Sequence, residues 1–311
     1  MAKTKAFLRR HALLLISLAL LIVPEVTSQY EFYVVQRGVQ NAIHVLGLVI
    51  LIGYTGLMSL GSAALLATGA YVYGIFLVRF GLSPLLGTII AVIFTTAVGT
   101  ALAFPAFRLS GPFLAVTTVG FGEIVRILIL NLEPLTNGPY GLSGFQPVAS
   151  TTRGIYYLMV LALFLVAIAT ERVGRSRLGL ALKAVREDEV AAQVMGVNVR
   201  RAKMVSNALA AALAGLSGVF LASLTGYLNP DSFTSNESTT YLLMVVMGGM
   251  NSVFGTIVSS LVVTVLPEFL RFLTTSRLLV YSLVLLVYLR VHYVKDGSKV
   301  RAKGAGSSGR S

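Results

Sequence analysis

The chain contains no cysteine. That excludes disulfides, thiolate nucleophiles and cysteine metal ligands. Its three histidines, His11, His44 and His292, are scattered and lack metal-ligand spacing. No metal and no cofactor are therefore expected. A G-x-x-x-x-G-K-[ST] phosphate loop is missing, so nucleotide binding of that kind is excluded. No carboxylate pair, Ser/His/Asp set or Cys/His cluster presents itself as a catalytic constellation. Acidic residues are scarce, 12 Asp and Glu against 25 Lys and Arg, which gives a formal net charge of +13.

What the chain does have is apolar surface. Of its 311 residues 56% are hydrophobic, and the mean hydropathy is +0.82. A soluble domain of this size cannot hide that much apolar area, because its exterior still needs polar cover. Repeated apolar runs of about 20 residues predict an all-α, polytopic membrane protein. The short alternating strands of a barrel are not seen. In a soluble protein the positive charge would point to nucleic acid. Here it clusters in the first eleven residues, in 171–203 and after Leu289, which is the positive-inside pattern. The expected surroundings are membrane lipid, with no nucleic acid.

Taken in order, Lys3, Lys5, Arg9 and Arg10 precede the apolar run Ala12–Val23, and no small-x-small cleavage site follows. This predicts an uncleaved first membrane helix with its N-terminus in the cytosol. Arg37 to Gly53 is a second helix carrying Asn41 and His44. Each of these suits either a hydrogen bond between helices or a substrate contact. A glycine-rich stretch leads into a third helix at about Met58–Val78, which holds Ser62 and Thr68. Ser83-Pro84 opens a fourth helix, with proline in the first turn, running to about Phe104. Phe104 to Arg108 is a turn, and Gly111-Pro112 opens a fifth helix to about Asn131.

Glu123 and Arg126 lie near the middle of that fifth span, three residues apart on one face. Ionisable groups at such depth face protein or water. They read as an internal ion pair or as a polar element of a translocation path. Leu132 to Gly154 is a Gly/Pro/Ser/Thr-rich loop with few basic residues, expected outside and suited to docking a soluble partner. Ile155–Thr170 returns inward as a sixth helix. A seventh runs from about Met204 to Tyr227, with small-residue stripes Ala211/Gly215 and Ala214/Gly218/Ala222 that predict tight packing. Asn229-Pro230-Asp231 and Glu237 form an external turn. Ser238 to Gly248 is a short eighth helix or a re-entrant stub. Phe254–Leu273 and about Leu278–Val294 complete the set. With both basic termini inside, parity favours ten crossings within a range of eight to ten. Residues 1–294 form the membrane domain, and 295–311 form a disordered cytoplasmic tail.

Glu171 to Lys203 is the one long charged segment, with eight Lys or Arg and four Asp or Glu. Within it, Ala181 to Gly196 reads as one short amphipathic helix, with Val185, Val190, Val194 and Met195 near one face and Gly196 as its stop. Such a helix on the cytoplasmic surface suits presentation to a partner. Only Glu123, Arg126 and His44 are titratable within the spans. That is too few for an intramembrane enzyme, so transport is expected rather than catalysis.

Three blocks carry a resemblance: GYTGLMSLGSAALLATGAY over 53–71, LSGPFLAVTTVGFGEIVRIL with TNGPYGLSG over 109–144, and GLALKAVREDEVAAQVMG over 179–196. The third continues to MVVMGGMNSVFGTIVSSLVVTVLPEFLR. Together they resemble the permease subunits of ABC importers for branched-chain amino acids, of the LivM type. The resemblance implies a permease of the inner membrane, paired with a second related permease. Two ABC ATPase subunits would power it and an external binding protein would supply it. Specificity would lie mainly in that binding protein, leaving a weak or absent pocket here.

The ATPase-coupling loop of such importers is often written EAA-x3-G. By resemblance its role falls on Glu189, Ala191, Ala192 and Gly196, with Arg186 among the flanking charges that form rim ion pairs with the ATPase. Aligned on Gly196, the Glu slot holds Val190, and Ser62 stands where the family often has His. Asn41, His44, Ser62, Glu123 and Arg126 are the candidates for the translocation path or a polar bundle core. Urea and short-chain amide importers use similar permeases, and these residues do not separate them. A stand-alone secondary transporter with broken helices near Gly53–Gly61 and Gly248–Gly255 is the more distant alternative.

Overall fold

This computed structural model describes residues 28–106 and 112–269, with Pro24, Ser282 and Leu286 besides. The expected first helix, the turn at Phe107–Arg108, the last helix and the tail lie outside the described residues. The chain divides into two compact units, Met1–Val265 and Leu266–Ser311. In the second, the described residues are the final helical positions 266–269 and the exposed Ser282 and Leu286.

The first unit is helical, as the composition dictates. Its order is α1 Gln29–Leu48, a π-helical turn Val49–Tyr54, α2 Ser62–Phe80, α3 Pro84–Ala106, α4 Pro112–Asn131 and the single turn α5 Glu133–Thr136. Then come β1 Leu142–Ser143, α6 Thr152–Arg175, α7 Arg177–Glu187, α8 Glu189–Val194, α9 Val199–Thr225, β2 Tyr227–Leu228, α10 Ser235–Gly248 and α11 Val253–Phe269. Six helices among the described residues are long and apolar enough to cross a membrane, while α10 has only 14 residues.

Several boundaries move from their sequence-based positions for local reasons. The helix α1 begins at Gln29, because Ser28 and Glu31 form a reciprocal capping box. It continues past Leu48 as a wide turn whose residues are all buried. Gly53 at the end of that turn meets the α10–α11 connection: a Cβ there would stand 1.8 Å from the Met250 carbonyl oxygen. Two interrupted segments thus touch backbone to backbone, as only glycine permits.

The core is organised around α9, which packs on α1, α2 and α3. Its small-residue stripes do what the pattern predicts. A Cβ on Gly218 would lie 2.3 Å from the Leu66 carbonyl oxygen, and one on Gly69 of α2 would lie 2.6 Å from the Gly215 Cα. Apolar helices gain no hydrophobic drive from leaving lipid, so this close packing supplies the attraction. Polar pairs add to it: Gln40 donates to Ser217 Oγ at 2.7 Å, and that hydroxyl donates to the Gln40 carbonyl at 2.8 Å. The helices α3 and α4, by contrast, leave large apolar side chains such as Leu85, Ile93, Phe113 and Val116 exposed.

At one end of the bundle, β1 and β2 pair antiparallel, Leu142 opposite Leu228. Tyr71 donates to the Leu228 carbonyl and Tyr73 to the Gln146 carbonyl. The Tyr73 bond, and the Tyr71 bond by way of the β1–β2 pairing, fix the long 132–151 connection on top of α2. The opposite end carries α7 and α8.

We expect Gly218→Ala to lower the melting temperature of the detergent-purified chain, with an overpacking cost of about 1–3 kcal/mol, and Gly218→Leu to abolish a monodisperse species in size-exclusion chromatography. Unchanged elution of the leucine variant would contradict the close α2–α9 contact.

Candidate functional site

The charged segment forms two helices, which corrects the expectation of one. The break is at Asp188, whose backbone is extended and whose Oδ1 accepts from the Val190 and Ala191 N–H groups at 2.8 and 3.0 Å. Asp188 thus ends α7 and caps α8. The short helix α8 closes with Gly196 N–H donating to the Gln193 carbonyl and Val197 N–H to the Ala192 carbonyl, a Schellman pattern. Gly196 sits at φ +85°, so it is the C-terminal glycine that the sequence suggests.

The break also changes which residues share a face. Leu182 and Val185 on α7 point inward and are buried, while Val190, Val194 and Met195 are 71%, 82% and 83% exposed. Val185 therefore does not join the other three. Ala192 is buried and Ala191 exposed. What α8 presents outward is a small apolar patch, unusual for a segment this charged.

The charges are used to brace the segment from within. Arg186 donates to the Gly53 carbonyl and to Asn251 Oδ1, so one guanidinium spans both interrupted segments. Lys183 donates to the Gly174 carbonyl at 2.7 Å and lies 5.1 Å from the centre of the Tyr54 ring. Glu189 pairs with Lys203, whose side chain at the start of α9 is only 5% exposed. Arg186, Asp188 and Glu189 thus each have a partner within the chain, while Glu187, Asp188 and Glu189 stay exposed at the surface. Lys203 escaped the sequence reading because nothing in a run of basic residues marks the one that folds inward.

The polar candidates separate into two groups. Asn41, His44 and Ser62 are buried. Asn41 donates to Thr264 Oγ1 at 3.0 Å. The His44 ring meets Tyr241 edge to face at 4.5 Å, and both its nitrogens lack a hydrogen-bond partner, as does Ser62 Oγ. The Ala63 N–H donates to Ser238 Oγ, one turn from Tyr241 on α10, so α10 links His44 to the start of α2. Tyr241 carried no signal in the sequence. Glu123 and Arg126 stand apart from this group. They do pair, at 3.1 Å, but Glu123 is half exposed, and Arg126 reaches Asp231 Oδ1 at 2.6 Å. The pair ties α4 to the 230–232 turn instead of packing inside the bundle.

A cavity of about 390 Å³ opens between the 57–61 segment, α3, α4 and α9. Leucines and Phe121 dominate its wall, with Ser59, Thr117, Thr118 and Asn207 as the polar exceptions. A weak or absent substrate pocket is what the resemblance implies, because specificity would lie mainly in the binding protein; the hollow itself leaves no local signature in the sequence. Among the described residues no group of three His, Asp or Glu could hold a metal ion.

Comparison with known proteins adds to this geometry. The family model described as "Branched-chain amino acid transport system / permease component" matches residues 32–291. The chain is 35% identical over 274 residues to the high-affinity branched-chain amino acid transport system permease protein LivM of Escherichia coli (strain K12), covering 78% of this chain and 64% of that protein. The Salmonella typhimurium protein of the same name is also 35% identical, with the same coverage. A probable branched-chain amino acid transport permease protein LivM of Methanocaldococcus jannaschii is 25% identical over 172 residues, 53% of this chain and 50% of that protein. The chain thus spans just under two thirds of the length of the first two relatives. No solved structure matches it significantly.

Glu189→Gln should destabilise the chain more than Lys203→Met, because the first leaves a buried ammonium without its counter-charge and the second removes that charge. Since Glu189 is half exposed, a loss of about 1–2 kcal/mol is expected, below the 3–5 of a fully buried pair. Thermal melts of both single variants and the double variant check this, and the double variant should resemble Lys203→Met.

Proposed function

Since the chain belongs to the family of branched-chain amino acid transport system permease components, we propose that it is the membrane-spanning permease subunit of an ABC importer for branched-chain amino acids, seated in the inner membrane. A second permease and two ATPase subunits complete the machine, and an external binding protein delivers the cargo. The ATPases do the hydrolysis, and this chain converts their movement into a change of access.

The observation that carries the reading is the apolar face of α8, displayed on a segment braced to the core. Val190, Val194 and Met195 offer an exposed apolar contact to a groove on a partner. A push on α8 reaches α9 through Glu189 and Lys203. Through α7 and Arg186 it reaches Gly53 and Asn251, where α1 and the α10–α11 connection are interrupted. Movement follows only if the nucleotide-bound ATPase favours one arrangement of this node over the other.

The reading is tested by reconstituting this chain with candidate partner subunits and asking which loaded binding protein stimulates hydrolysis and uptake. Stimulation by leucine, isoleucine or valine supports it. Stimulation by urea or an amide alone changes the cargo. Ion-driven uptake by the chain without an ATPase sinks it.

Gly196→Pro should uncouple hydrolysis from uptake while the chain still inserts, because a proline φ near −65° cannot replace +85°. Val194→Glu with Met195→Glu should weaken co-purification of the ATPase at least tenfold. Retained uptake in vesicles carrying both changes would count against α8 as the docking element.

A further inference from the structure

The cavity walled by the 57–61 segment, α3, α4 and α9 lies beside the route proposed for coupling and has been given no role in it. At about 390 Å³ it falls in the size range of small-molecule sites. It has room for about a dozen waters at roughly 30 Å³ each, and so for one amino acid of leucine size with several waters beside it. Its chemistry is divided. Leu57, Leu65, Leu102, Leu114 and Phe121 make an apolar wall, and Ser59 and Asn207 lie among them. Asn207 is 8% exposed and its Nδ2 donates to the Gly99 carbonyl at 2.8 Å, so its amide is held in one orientation and carries an acceptor oxygen besides. Gly61, the residue before α2, also lines the cavity; the first-turn Ala63 N–H is taken by Ser238 Oγ, and the helix dipole still points its positive end toward the rim.

We propose that this cavity is a transit site for a single aliphatic amino acid, with its branched side chain against the leucine wall and its charged end toward Asn207, Ser59 and the start of α2. The inference rests on the functional reading above and deepens it, because it places part of the substrate discrimination in this chain. A lipid tail would fill the apolar wall but has no use for an oriented buried amide. A side chain from a second permease would close the hollow permanently, and then the hollow could not select among substrates.

Gly120 provides the test. It lines the cavity, and a Cβ added there meets nothing within 4 Å, so larger residues can be placed at the cavity wall without straining α4. The series Gly120→Ala, Gly120→Val and Gly120→Leu is made in the assembled complex. Equilibrium binding of labelled L-leucine and L-valine is measured without the binding protein, and uptake is measured with it. The expected result is a progressive loss of leucine affinity, reaching about tenfold more than the loss for valine in Gly120→Leu, with uptake following the same order. Equal losses for both amino acids, lost assembly, or unchanged affinities overturn the site and assign the hollow to lipid or to a neighbouring chain. Wild-type uptake of leucine with no binding to the complex overturns it as well. If the wild-type complex neither binds nor transports an aliphatic amino acid, the functional reading itself falls, and that outcome is distinct from the others.

Discussion

Backbone contact between α2 and α9 is the constraint on which the remaining architecture depends. Gly69, Gly215 and Gly218 bring two helices together until main-chain atoms nearly touch. Every other feature is referred to that pair: α1 lies against α9 through Gln40 and Ser217, and the cavity borders both helices through Leu65 and Asn207. In a membrane there is little to gain by hiding apolar surface from lipid. The closeness that small residues allow is therefore the main source of specificity. The exposed sides of α3 and α4 follow from the same logic, because large leucines and phenylalanines there compete equally well for lipid or for another chain.

The second level of organisation is polar and sits at the end bearing α7 and α8. Arg186 binds one carbonyl from the α1 wide turn and one amide from the α10–α11 connection. It has been placed where two helices have already given up regular hydrogen bonding. Wide turns of the π type are rare and tend to mark functional places. Here the wide turn sets Leu51 against the cavity and Gly53 against Met250. The α7–α8 segment, the interrupted helices and the cavity are thus neighbours.

Much of this was legible in the residues. The apolar runs located the helices, Pro84 and Pro112 marked two starts, and the small stripes of α9 named their own contact. Gly196 announced a helix stop that the structure realises with a left-handed backbone. What the sequence concealed has physical reasons. Asp188 looks like one more charge in a charged run, and its capping role emerges only when its carboxylate turns back on two N–H groups. Arg186 and Lys203 act across 133 residues or across a fold junction, which no local spacing encodes. The Glu123 and Arg126 pairing was readable from their separation, but its exposure depends on Asp231, 105 residues away from Arg126.

That triad has a consequence of its own. It holds two carboxylates and one guanidinium, so one negative charge is left over where α4 meets the 230–232 turn, with the Asp231 side chain 70% exposed. An unbalanced carboxylate at a lipid tail is far too costly to persist. The flank of α4 that faces that turn must accordingly be wet, or be pressed against a basic group from another polypeptide.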